Sequence, residues 1–130
     1  MPVDKPTVRA QEALAAASAL AEERGHPLIE PEHLLIALLD QREGVVGPVL
    51  EKAGADLAGL RAAVLAALER RPVARGTEVG QVSAAFRSVL RRAGREAERL
   101  NDEYISTEHL LLGLLAEPSP ARDALAGSGV

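Results

Sequence analysis

Ile29-Glu30-Pro31-Glu32-His33-Leu34-Leu35-Ile36-Ala37-Leu38-Leu39 returns 76 positions later as Ile105-Ser106-Thr107-Glu108-His109-Leu110-Leu111-Leu112-Gly113-Leu114-Leu115. Seven of the eleven positions are identical: Ile, Glu, His and four Leu. Shared leucines follow from composition alone, but a Glu-His pair held in register does not, so the chain reads as an internal duplication. The same offset sets Thr7 over Ser83, Leu14 over Leu90, Ala17 over Ala93 and Ala21 over Ala97. The register therefore runs without a gap for more than thirty residues.

Helical spacing extends outward from these motifs. Val82, Phe86, Val89, Ala93, Ala97 and Leu100 step by three or four residues and predict one apolar stripe along a helix of about five turns. Ala10, Leu14, Ala17 and Ala21 draw the same stripe in the first copy, with small residues that allow close approach to neighbours. Gly25 and Asn101 stand where each long helix should stop, because both residue types tolerate a left-handed terminus. The next helices start at Pro31 and Thr107, with Ser106 as an N-cap accepting from the His109 N–H. They are almost wholly apolar after the histidine and belong at the centre of the core. A third helix is expected over Val45 to Ala53, and a fourth begins after Asp56 with Leu57, Leu60, Val64 and Leu68 facing inward. Pro72 to Gly80 holds Pro, Gly and charges without periodicity, which marks a linker. A counterpart of the fourth helix would begin near position 132, beyond Val130, which points to a fragment of a longer protein.

The 130 residues suffice for one domain with a single core. Ala and Leu number 24 and 20 against 17 for Ile, Val and Thr together, which excludes an all-β fold. With no cysteine there are no disulfides, thiolate zinc sites or cysteine nucleophiles. The longest uncharged run, near Leu34 to Leu39, is far short of the roughly 18 residues that a membrane span needs, and Met1 to Asp4 is no signal peptide. The expected class is soluble and cytoplasmic, with no membrane partner. A net charge of −4 argues against nucleic acid as a partner.

Several residues invite chemical readings. Glu32 and Glu108 lie in the first turn of their helices, where the macrodipole stabilises a carboxylate by about 0.3–1 kcal/mol, so a structural role needs nothing more. A cationic group docking there would be attracted by the same charge. His33 and His109 could suggest a metal, yet zinc requires three or four ligands and His26 is the one further histidine. An imidazole that satisfies a backbone group at the helix start is the simpler assignment. Arg87, Arg91, Arg95 and Arg99 share a helix face, but Glu96, Glu98 and Glu103 are interleaved with them, and one Tyr and one Phe make no stacking platform. A solvated face with intrahelical pairs such as Arg92 with Glu96 accounts for the row. No carboxylate pair is placed for acid–base catalysis, and neither Lys5 nor Lys52 lies in a phosphate-binding Gly-rich loop. The chain is therefore expected to be non-enzymatic, with no catalytic residue, no metal and no cofactor of its own.

The doubled Ile-x-x-Glu-His-Leu-Leu helix start, each copy preceded by a long helix ending in Gly-His or Asn-Asp, resembles the Clp N-terminal domain of AAA+ Clp unfoldases. Leu50 to Leu57 and Asp102 to His109 resemble the ClpB disaggregase branch most. The resemblance covers residues 5 to 126 and implies an all-α fold of seven to eight helices in two pseudo-twofold-related repeats. Its boundaries are repeat one at about 5–71, a linker at about 72–81 and repeat two at about 82–130, together a single domain, 1–130. It implies binding of unfolded or aggregated polypeptide, and possible adaptors, for an ATP-driven homohexameric motor, the isolated domain being a monomer and ATP belonging to the full-length parent. The alternatives are an adaptor- or phosphoarginine-binding domain of a ClpC- or ClpA-type unfoldase and a freestanding modulator. The substrate-handling positions that the resemblance implies are Thr7, Asp102 and Glu108 for ClpB, and Glu32 with Glu108 for ClpC. Pro31 departs from the ClpC pattern, which favours threonine there. Packing two such repeats leaves an apolar seam, and a site holding both Thr7 and the Asp102–Glu108 loop would lie on it.

Overall fold

The structure is a computed structural model that describes residues 3–74 and 80–130. Among these residues seven helices run in the order α1 (Val8–Glu23), α2 (Pro31–Leu39), α3 (Val46–Lys52), α4 (Leu57–Glu69), α5 (Ala84–Arg99), α6 (Thr107–Ala116) and α7 (Pro120–Ala126). Two short strands, β1 (Leu28–Ile29) and β2 (Gln81–Val82), pair in parallel. The all-α repeat architecture expected from the duplication is the one observed. Helices α1 and α5 begin and end 76 residues apart, as do the starts of α2 and α6. Half of the expected linker, residues 75–79, lies outside the described residues, and its last residue, Gln81, belongs to β2.

Each helix start carries its own chemical signal. Thr7 and Ser83 accept from the N–H groups of Ala10 and Phe86 at 3.1 and 3.0 Å, so the duplicated hydroxyl performs the same capping in both halves. Gly25 and Asn101 adopt φ of +70° and +59° and end the long helices as their residue types suggest. Two stripe assignments need correction. Val82 joins β2 because Ser83 already caps α5, and Leu100 lies beyond the helix end, largely exposed. The fourth-helix face is as expected except that Leu57 is only partly buried.

Helices α2 and α6 form the centre: Leu34, Leu35, Leu38, Leu110 and Leu114 are shielded from solvent, with the alanine stripes of α1 and α5 against them. The alanines matter because a helix lined by Ala10, Ala13, Ala17 and Ala21 brings its backbone close to the core. The two halves then exchange edges. Thr7 N–H donates to Ile105 O at 2.9 Å, and Ser83 N–H donates to Ile29 O at 3.1 Å, the same bond 76 residues on with the halves swapped. The start of each long helix is thus fixed by the other half. No helix of the described residues is long and apolar enough to cross a membrane.

Candidate functional site

The exchanged edges bring the start of α1 beside the start of α6. Thr7 and Val8 line a cavity of about 400 Å³ together with Gln41, Val45, Thr107 and Glu108. Gln41 is fixed to α1 by its side-chain amide, which donates to Arg9 O at 2.9 Å. Val8 and Val45 are 70% and 44% exposed, giving the cavity apolar lips that water covers only at a cost. Glu108 stands exposed at the rim, where its carboxylate accepts from Thr107 Oγ1 at 3.0 Å, and it makes no ion pair among the described residues. A second depression of about 280 Å³ continues from Glu108 and Ser106 to Asp102, Glu103 and Tyr104. Thr7, Glu108 and Asp102 therefore lie along one continuous surface.

Glu32 is placed elsewhere. Its carboxylate is wholly shielded and accepts from Arg71 Nε at 2.6 Å, while the same guanidinium reaches Glu30 at 3.1 Å. Oε1 of Glu32 is buried with no hydrogen-bond partner among the described residues. The structural reading of Glu32 accounts for this position: one cation from the end of α4 holds two acids at the start of α2. Glu108, at the equivalent place in the second half, has no such cation within 4.0 Å among the described residues.

The histidines explain why the Glu-His pair recurs. Glu30 N–H donates to His33 Nδ1 at 2.9 Å, and Ser106 N–H donates to His109 Nδ1 at 2.8 Å, satisfying the amide that precedes each helix. With Nδ1 accepting, Nε2 carries the proton and donates onward. In the second half it donates to Asp102 Oδ2 at 2.8 Å. In the first half the partner is His26 Nδ1, at the same distance. His26 and Asp102 are themselves 76 residues apart. Asp102 therefore orients His109 as well as lining the surface, a role that the offset held but that sequence reasoning missed. Among the described residues no group of three or more His, Cys, Asp or Glu is gathered as metal ligands.

The buried His26–His33 pair makes a pH test possible. Burial, then the neighbouring imidazole, holds His33 down to about 4, and burial, then Arg24, lowers His26. Unfolded, both titrate near 6.5, so below that pH the unfolded chain binds protons that the folded chain refuses, and stability falls with pH until about 4. Glu96 contributes little to this window. Its carboxyl is held below its usual value by Arg99 and Arg92, and its contribution is lost only below about pH 4.5. Denaturant unfolding at pH 7.5 and pH 5 is expected to differ by about 2 kcal/mol from His33 alone, the lower pH being less stable. Equal stabilities at the two pH values would show that the pair protonates without penalty.

Residues 5–128 match the Clp repeat (R) N-terminal domain family model. The chain is 40% identical over 128 residues to chaperone protein ClpB of Rhodopirellula baltica, covering 98% of this chain and 14% of that protein. It thus spans about one-seventh of that relative's length. Among solved structures it is similar to the N-terminal domain of the ClpV1 ATPase from E. coli EAEC, at 28% identity and a TM-score of 0.83, covering 96% of this chain and 77% of the other. A further solved chain, described with a peptide from the EAEC SciI protein, is 25% identical with a TM-score of 0.81, over 95% of this chain and 82% of the other. Seven helices among the described residues in two offset halves, a Glu-His helix start in each, and a family match across almost the whole length lead to one conclusion: this chain belongs to the Clp repeat N-terminal domain family, where it is similar to ClpB chaperones.

Proposed function

We propose that this domain captures exposed segments of unfolded or aggregated polypeptide and presents them to an attached, ATP-driven, cytoplasmic ClpB-type hexamer. It performs no chemistry itself. The observation that carries the reading is the single cavity to which one half contributes Thr7 and Val8 and the other contributes Thr107 and Glu108. Its apolar lips suit hydrophobic side chains, and the acidic rim at Glu108 and Asp102 adds attraction for neighbouring cations. Such contacts are weak singly, and six copies around a ring supply avidity. The solved relative described with a SciI peptide supports polypeptide as the ligand class. The alternative of paired phosphoarginine sites needs Glu32 as well as Glu108 to be open, and Arg71 occupies Glu32.

Titration with a permanently unfolded model protein, followed by backbone amide shifts, tests the reading. Shifts should concentrate at Thr7, Val45, Tyr104 and Glu108, and Glu108→Lys should weaken binding about 5- to 10-fold, equivalent to 1–1.4 kcal/mol, with unchanged helical circular dichroism. Undiminished binding by E108K, with shifts elsewhere, would remove the site.

A further inference from the structure

Residues 26–33 and 102–109 are the same loop and helix start in the two halves, yet they meet solvent differently. In the first half Leu28 alone is exposed, and His26 and Glu30 are buried. In the second, Asp102, Glu103, Tyr104 and Glu108 are all exposed. One histidine of each loop keeps its place: His33 and His109 are both buried and both accept from the amide that precedes the helix, at 2.9 and 2.8 Å. What changes is the partner of Nε2. In the first half it is the buried imidazole of His26, which seals that loop. In the second it is the carboxylate of Asp102, whose side chain is 50% exposed.

A carboxylate on an exposed turn ordinarily samples several rotamers, and fixing it against an incoming cation costs side-chain entropy. Asp102 has already met that cost. Its backbone N–H donates to Ala97 O at 2.8 Å, which fixes the turn, and its Oδ2 accepts from His109 Nε2 at 2.8 Å, which fixes the side chain. The imidazole is held at its far side as well, where Nδ1 accepts from Ser106 N–H at 2.8 Å and lies 3.0 Å from Ser106 Oγ. The ring thus bridges the loop from Asp102 to Ser106, and Ile105 between them is pinned by its N–H to Lys5 O at 2.8 Å. The other oxygen of Asp102, Oδ1, takes no bond among the described residues. One carboxylate oxygen is anchored and one is left for a ligand.

We propose that His109 is a positioning residue of the polypeptide site: through Nε2 it holds Asp102 over the depression that Asp102 and Glu108 line, one oxygen free, and so gives the site a preference for basic segments of an unfolded chain. The inference rests on the proposed polypeptide-binding function, and its test separates the two. Capping alone does not account for the pair. A buried histidine that only serves the start of its helix uses Nδ1, and a buried neighbour satisfies its Nε2, as His33 and His26 show. A bond from Nε2 to a half-exposed acid competes with water and adds little to stability. Its effect falls instead on where the charge stands.

Two substitutions separate the imidazole's bonds. Asn places an oxygen near the position of Nδ1, so His109→Asn keeps the acceptor for Ser106 N–H and loses the bond to Asp102. Gln reaches the position of Nε2, so His109→Gln keeps the donor to Asp102 and loses the acceptor. Each variant of the 130-residue chain is titrated with an unstructured peptide of leucine, serine and lysine, and with its analogue in which serine replaces every lysine. The native chain should prefer the lysine peptide, and H109N should reduce that preference about 5-fold. D102N should do the same, with no further loss in the D102N/H109N double variant. H109Q should retain the preference although it melts at a lower temperature than H109N. Long-range proton–nitrogen NMR of the native chain, which needs no variant, should find the His109 proton on Nε2. A proton on Nδ1, an unchanged preference in H109N, or a further loss when H109N is added to D102N would each overturn the proposal. If D102N and E108K both bind as the native chain does, the proposed site fails and this inference with it. If they weaken binding while H109N does not, this inference alone fails.

Discussion

Arg71→Ala is expected to destabilise the domain by about 3 kcal/mol, the cost of leaving a buried carboxylate without its counter-charge. Arg71 is the cation that neutralises both Glu30 and Glu32, and Glu32 is fully shielded from water with one oxygen already unpartnered. Once the guanidinium is gone, water cannot reach Glu32 without opening the start of α2, the helix at the centre of the core. Denaturant unfolding followed by circular dichroism gives the measurement. Arg71→Met combined with Glu32→Gln should recover part of the loss, because the Glu32 charge disappears with its partner while Glu30 still lacks its cation. A loss below about 0.5 kcal/mol in R71A would place this ion pair with ordinary surface pairs.

Gly113→Val should cost about as much, for a different reason. A Cβ on Gly113 would lie 2.6 Å from the backbone oxygen of Val89, so α5 and α6 cross at a separation that only hydrogen in place of a side chain permits. Forcing the helices apart disturbs the tightest helix pair of the second half, at about 3 kcal/mol, or roughly 10 °C in Tm for a domain of this size. The equivalent residue of the first half is Ala37, which carries its Cβ in a buried position. Ala37→Gly should therefore cost only about 1 kcal/mol, mostly backbone entropy. Equal losses from both substitutions would show that the two helix crossings do not differ.

Which features could be read in advance follows from the reach of the forces involved. Helix starts at Thr7, Pro31, Asp56, Ser83 and Ser106 depend on bonds across three residues, and helix ends at Gly25 and Asn101 on a single backbone angle, so both are written locally. The 76-residue offset then carried the same reading from one half to the other. Long-range pairing was hidden. Nothing near Glu32 announces that its cation sits 39 residues away at Arg71, and nothing near Ile105 announces that it bonds to Lys5 and Thr7. The arginine row of α5 was half legible: the Arg92–Glu96 pair follows from spacing, but which arginines stay unpaired does not. The Thr7–Glu108 cavity came from likeness to a family combined with the duplication, and no motif in either half contains it alone.

The crossed pegs at Ile29 and Ile105 give the doubling a sense that mere copying lacks. Each twin finishes its sibling's seam, like two clasped hands, so that a blow loosening one grip frees the other too.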